Sequence, residues 1–390
     1  MNYRVLLALL TALVIGGGAA GGWWLLRRGS APPTPASYLA GTTSLEAGDL
    51  RTAESELRRC IAENPAYAAA YAQLGNLYLL QRRLPQAVQA LETAIAQGSS
   101  RPEDYTRLAQ AYLDSRRTEE AYWAVAQALK TAPADTYALA VRGELLLRDD
   151  NLAGSLECFR AALRQTPGFS LAYLKAGYIL LKLQKLEEAE QLLKEGLEHD
   201  PHNPGLHLQL AESYFARPQL PGAADLAEKH YQLAIPNNPG AASAHKRLAE
   251  LAVRRGDHRQ ARQHFMRALE LQPGQEEALY GLAQLERRSG NPREASTYLR
   301  RAQAEREAAR RFGALKARAQ ARPDDVDLAY KVAREALEKG RLTDAERLVE
   351  RAARRHPDNR EIRRLRASLY LKQGRADEAR AEFEIASTLL

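Results

Sequence analysis

Residues 71–91 read YAQLGNLYLLQRRLPQAVQAL, and this stretch decides the fold. Its apolar residues recur at intervals of three and four on either side of Arg82-Arg83, so it reads as two amphipathic helices joined by a tight turn. Gly75 falls inside the first helix and Ala87 inside the second. Small residues at these points let two helix backbones approach closely, and the larger Leu91 fills the groove beside the contact.

The same marks recur along the chain. An alanine equivalent to Ala87 stands at Ala53, Ala121, Ala189, Ala227, Ala261, Ala295, Ala345 and Ala379, with Ser155 in its place once. Successive spacings are 34 residues, except for 38 before Ala227 and 50 before Ala345. A second small residue precedes each: Gly41, Gly75, Ala109, Gly143, Gly177, Ala211, Ala249, Ala283, Ala333 and Ala367. Four positions after the alanine come Leu57, Leu91, Phe159, Leu193, Tyr231, Phe265, Leu299 and Phe383. Proline follows at Pro65, Pro133, Pro167, Pro201, Pro239, Pro273 and Pro357, ending the second helix by disfavouring helical geometry in the residue before it.

This pattern resembles the tetratricopeptide repeat, whose 34-residue signature is W-x2-L-G-x2-Y, then A-x3-F, then P. Ankyrin units begin T-P-L-H, and HEAT and armadillo units are longer, so both fit worse. The resemblance implies an all-α fold, a right-handed α-solenoid of about ten helical hairpins, because one hairpin cannot bury its own apolar face and stacked neighbours can. Units one to eight occupy 34–302, and units nine and ten occupy 326–390. Between them, 303–325 reads as the carboxyl part of one long charged helix over Arg293–Ala321, a degenerate half-repeat whose first helix is deleted. The sixth unit carries a longer turn, Arg217-Pro218-Gln219-Leu220-Pro221-Gly222, where two prolines bar helix.

Ahead of the repeats, residues 5–26 carry no charge, between Arg4 and Arg27-Arg28, with Trp23 and Trp24 near the far end. About 20 apolar residues cross a bilayer as a helix, and tryptophan favours the headgroup level. The stretch is read as an uncleaved transmembrane anchor after a tail of residues 1–4, with a cleaved signal peptide as the alternative. Residues 27–36, with Pro32, Pro33 and Pro35, form a stiff linker. The repeat body is expected on the exported, periplasmic side of a single-pass protein, the cytoplasmic face being the alternative.

The formal net charge of +8 is uneven: residues 1–240 hold 23 Lys/Arg against 25 Asp/Glu, and residues 241–390 hold 33 against 23. Cys60 and Cys158 are too far apart in sequence to make a disulfide framework or a zinc site. His199, His202 and His207 are interrupted by Pro201 and Pro204, so they cannot share one helical face, and no metal is expected. There is no P-loop, no G-x-G-x-x-G after a strand and no G-x-S-x-G elbow, so no catalytic residues and no cofactor are expected.

In the family resembled, the first helix of each repeat lines an inner groove that holds peptides or helices. Carried onto this chain, the groove positions are Asn76 in the second unit, and Tyr137 and Leu147 in the fourth with Ala140 and Glu144. The fifth unit presents Leu171, Leu174, Tyr178 and Leu181, and the sixth Leu208 and Phe215 with Glu212. The seventh and eighth present Lys246, Arg254, Tyr280, Gln284 and Arg287, beside Arg247 and Arg288. The groove is expected to be apolar in its middle and basic towards its carboxyl end, suiting a segment with apolar anchors and an acidic stretch. The alternative reading of the apolar positions is packing between repeats. Chaperone-binding members clamp a terminal carboxylate with Lys and Asn. Only Asn76 matches one clamp position, which argues against that ligand.

The expected function is a non-enzymatic scaffold for protein partners, tethered to a bilayer through residues 5–26, which helps assemble an envelope, secretion or polysaccharide-export complex. The alternatives are a regulatory subunit of a separate glycosyltransferase, or a basic nucleic-acid-associated protein. Neither nucleic acid nor a small-molecule substrate is the expected partner.

Overall fold

A computed structural model describes residues 34–236, 238 and 241–389. The described residues form twenty α-helices and no strand. The transmembrane anchor read at 5–26 and most of the linker lie outside them, and no described helix is long and apolar enough to cross a membrane.

The helices divide into two compact units, the first ending at Asn238. In the first unit, six antiparallel hairpins follow in chain order: α1 (Ala36–Glu46) with α2 (Leu50–Glu63), α3 (Ala68–Leu80) with α4 (Leu84–Ala96), and α5 (Pro102–Asp114) with α6 (Thr118–Thr131). Next come α7 (Thr136–Arg148) with α8 (Leu152–Gln165), α9 (Ser170–Lys182) with α10 (Leu186–His199), and α11 (Pro204–Phe215) with α12 (Ala223–Ala234). The second unit has α13 (Ala241–Arg255) with α14 (His258–Leu271), and α15 (Glu276–Arg288) with the long α16 (Pro292–Ala321). It ends with α17 (Val326–Glu338) and α18 (Leu342–Arg355), then α19 (Arg360–Lys372) and α20 (Ala376–Thr388).

Within a hairpin the missing side chain decides the packing. A Cβ placed on Gly75 would lie 2.5 Å from Cγ of Leu91, and one on Gly143 would lie 2.9 Å from the Phe159 ring. Gly41 and Gly177 stand in the same way against Leu57 and Leu193, and all four large partners are fully buried. Between the seventh and eighth hairpins, Gly281 of α15 makes room for the Phe265 ring of α14. Ser155, the one departure from alanine, is buried and donates its hydroxyl to the Gly143 carbonyl at 2.7 Å, so its polarity is matched. Phe383 of α20 is 41% exposed, since no described helix follows to cover it.

Each hairpin turn needs one residue with positive φ, seven positions after the small residue of the first helix. Glycine fills it at Gly48, Gly256, Gly290, Gly340 and Gly374. Elsewhere Arg82, Arg116, Asp150 and Gln184 are forced into the same left-handed geometry, with φ near 60°. In the sixth hairpin that position is Pro218, whose ring fixes φ at about −65° and cannot comply. The turn therefore runs four residues further, to Gly222 at φ 74°, which is the physical reason for the longer spacing.

Tyrosine and arginine fasten one hairpin to the next. Tyr78, Tyr112 and Tyr370 donate their hydroxyls to Glu54, Glu92 and Glu350 on the preceding second helix, at 3.1, 2.6 and 3.0 Å. Arg83, Arg117 and Arg375, each five residues after its tyrosine, lie over the rings at 4.4, 4.4 and 4.1 Å. Burial, then the neighbouring carboxylate, pushes the Tyr112 and Tyr370 phenols up. At the lengthened sixth turn Arg217 takes over, stacking on Tyr214 and reaching Glu190 on α10. Burial would raise the Glu190 carboxyl, but hydrogen bonds from Lys194, Arg217 and Tyr214 outweigh it and bring the pKa to about 2.

The long helix α16 serves two cores. Its Ala302 joins Phe265 of α14 and Leu279 and Leu282 of α15. Its Phe312 joins Val332, Leu337 and Val349 of the hairpin after it, with Leu315 packed alongside.

Two substitutions separate close approach from helix propensity. Gly75→Leu is expected to destabilise its hairpin by about 1–3 kcal/mol through overpacking against Leu91. Gly313→Ala, on α16 where a Cβ meets nothing within 4 Å, is expected to stabilise it by about 0.5–1 kcal/mol. Native-state hydrogen exchange of the affected helices measures both, and unchanged protection in Gly75→Leu would show that the contact is not tight.

Candidate partner-binding site

The first helices of successive hairpins lie side by side. Lys175 of α9 pairs with Glu144 of α7 at 3.0 Å, and the Gln209 side chain of α11 donates to the Leu174 carbonyl of α9 at 3.0 Å. Arg148 donates to the Leu113 carbonyl at the end of α5, at 2.9 Å. These contacts make a continuous face from the first helices of the first unit.

On that face Tyr137 is 65% exposed, Tyr178 49% and Leu171 39%. The Tyr137 ring rests edge-on against Phe169, the residue before α9, with centroids 5.3 Å apart. Leu147, Leu181, Leu208 and Phe215 are half-buried, and Phe215 lies edge-on to Tyr231. Leu174 is different. It closes on Gly205 of the next hairpin, where an added Cβ would meet its Cδ2 at 2.8 Å. It therefore serves packing between repeats more than display. Asn76 sits on α3, half-buried and two hairpins away from Tyr137.

In the second unit, α13, α15 and the middle of α16 enclose a cleft of about 440 Å³. Tyr280, Gln284, Arg254 and Arg288 are among the residues that line it. The basic character anticipated for this end does not hold inside the cleft. Glu250, Glu276 and Glu277 line it as well, against Arg254, Arg288 and Arg306. Arg306 bonds Glu276 at 2.7 Å with its guanidinium over the Tyr280 ring. Arg247 pairs with Glu250 at 2.9 Å, and Lys246 is half-buried. Arg287 is exposed outside the cleft lining. The excess of cations in the sequence resides elsewhere, because acidic residues at neighbouring first-helix positions balance these arginines locally.

Reading along first helices alone passes over Arg306, which reaches the cleft from a second helix. It also passes over Phe169, which lies in a connecting turn. Their only sequence signal is periodicity: Arg306 stands 30 residues from Glu276 and Phe169 stands 32 from Tyr137, each close to one repeat.

Family profiles described as tetratricopeptide repeat match residues 44–106, 106–168, 171–203, 204–274, 252–319 and 330–387. Among solved structures, pilF of Pseudomonas aeruginosa superposes with a TM-score of 0.51 at 20% identity, covering 56% of this chain and 97% of its own. A tetratricopeptide repeat protein from Parabacteroides merdae covers 68% of this chain and 97% of its own, at 18% identity and a TM-score of 0.46. The carboxyl-terminal part of a repeat protein from Cytophaga hutchinsonii covers 63% and 99%, at 14% identity and a TM-score of 0.47. No curated protein matches. Repeat profiles over most of the chain, and hairpins with the glycine, tyrosine and turn geometry described above, lead to one conclusion: the chain belongs to the tetratricopeptide-repeat family.

Proposed function

We propose that this chain is a scaffold that holds a peptide or helical segment of a partner protein on the first-helix face of its first unit. One observation carries the reading. Tyr137, Leu171 and Tyr178 stand exposed on adjacent first helices, while their neighbours toward the core are buried. Large aromatic and aliphatic side chains exposed together mark interaction surfaces, and tyrosine contributes disproportionately to interface energetics. The surrounding Glu144–Lys175 pair and the polar Gln209 supply a rim that excludes water from such anchors.

The partner segment would place apolar anchors at helical or extended spacing against these side chains. The mixed charge of the second-unit cleft favours a partner of balanced charge there over an acidic stretch. The uncharged residues 5–26 support a tether to a bilayer, with the body on the exported side. A scaffold so placed suits assembly of an envelope, secretion or export complex.

The test is selection of peptides from a random displayed library on the full chain. Selected peptides are expected to bind at least tenfold more weakly, about 1.4 kcal/mol, to a Tyr137→Ala/Tyr178→Ala variant. Gln191→Ala, on the opposite second-helix surface, is expected to leave binding unchanged. Peptides indifferent to the tyrosine pair and sensitive to Gln191→Ala would place the binding face elsewhere.

A further inference from the structure

Two hairpins carry a histidine pair at the same place. His207 lies four residues before Ala211 and His230 three after Ala227, while His245 lies four before Ala249 and His264 three after Ala261. Their Nδ1 atoms meet at 3.0 Å in the sixth hairpin and 3.1 Å in the seventh. His207 and His245 are buried. In the second and third hairpins the same two positions hold Tyr71 with Ala90 and Tyr105 with Ala124, and in the last they hold the ion pair Arg363–Glu382 at 3.1 Å. A histidine pair thus occupies a contact that these three repeats fill with other residues.

The protons can be placed. His207 Nε2 is 3.0 Å from the Pro201 carbonyl, which only accepts, so Nε2 carries hydrogen. In the neutral ring Nδ1 is then the acceptor, and the facing His230 Nδ1 donates to it. The ring centroids are 5.2 Å apart, so both nitrogens lie close to the line joining the ring centres. The seventh hairpin has the same ring-to-ring geometry, with centroids at 5.3 Å. Lone pairs aimed at each other suit one shared proton. They do not converge on a third point, as a bridging metal would require.

We propose that these pairs are proton-sensitive fastenings, by which mild acid loosens the sixth and seventh hairpins selectively. A proton added at His207 Nδ1 would set two N–H groups face to face. One added at His230 Nε2 would place a cation in a partly desolvated site already bordered by Lys229 and Lys194. The ionisable groups around the first pair are His202, Lys229 and Lys194, and the nearby Glu190 carboxylate is occupied by Lys194, Arg217 and Tyr214. Around His245 in the second they include Arg267 and Glu270, which bond each other at 2.6 Å. Burial first, then the facing imidazole and the lysines, lowers the His230 pKa to about 4, and burial likewise lowers His207 and His245. A ring kept neutral by the fold contributes stability that is complete above the unfolded value of about 6.5 and is lost as pH falls toward the folded value.

Hydrogen exchange of the full chain at pH 7.5 and 5.0, corrected for intrinsic rates, tests this. Protection of α11–α12 and α13–α14 is expected to fall on the order of tenfold or more at the lower pH, while α3–α4, which has no histidine, holds. His230→Asn and His264→Asn supply an amide that can donate or accept at the contact without titrating, and should remove the loss in their own hairpins. Equal losses in parent and variants would overturn the proposal. So would a titration of the parent's His230 ring, followed by NMR, at an ordinary imidazole pKa, a readout that stands even if a variant fails to fold.

Discussion

The close approach of two helices inside each hairpin is the constraint from which the remainder follows. Where the first helix has glycine, the partner's Leu57, Leu91, Phe159 or Leu193 drops into the space a Cβ would take. That seats a large side chain with no exposure and sets how near the two axes lie. Once the hairpins share one thickness, their first helices line up and can bond across. The Lys175–Glu144 pair and the Gln209 bond to the Leu174 carbonyl depend on that alignment. A displayed face is a consequence of a repeated gap.

Two departures show how strictly the repeat geometry is kept. Pro218 cannot adopt the left-handed turn, and the chain extends to Gly222 rather than abandoning it. After the eighth hairpin's first helix, α16 runs on for thirty residues, so that Phe312 reaches the next core. In both places packing is preserved and the connection changes, as expected when burial outweighs local conformational cost.

The Tyr–Arg–Glu fastenings and the paired imidazoles occupy different seams. The first join one hairpin to the next through a stacked cation that stays charged at any physiological pH. The second lie inside single hairpins and depend on which nitrogen holds a proton. The array thus holds two kinds of seam, one joined by a fixed charge and one by a neutral, titratable pair.

By itself the sequence determined the helices, their pairing, the long helix and the lengthened turn. Each of these is a local matter of period, small residues and proline, repeated often enough to be unambiguous. Register along a helix also put Tyr137, Leu171 and Tyr178 at exposed first-helix positions, as their exposure shows. Only the tertiary structure decided that Leu174 closes on Gly205, that glutamates balance the arginines of the second-unit cleft, and that His207 and His245 face His230 and His264. Those outcomes rest on distances between residues about 20 to 60 positions apart, and on which charges meet in space, neither of which a periodic pattern records.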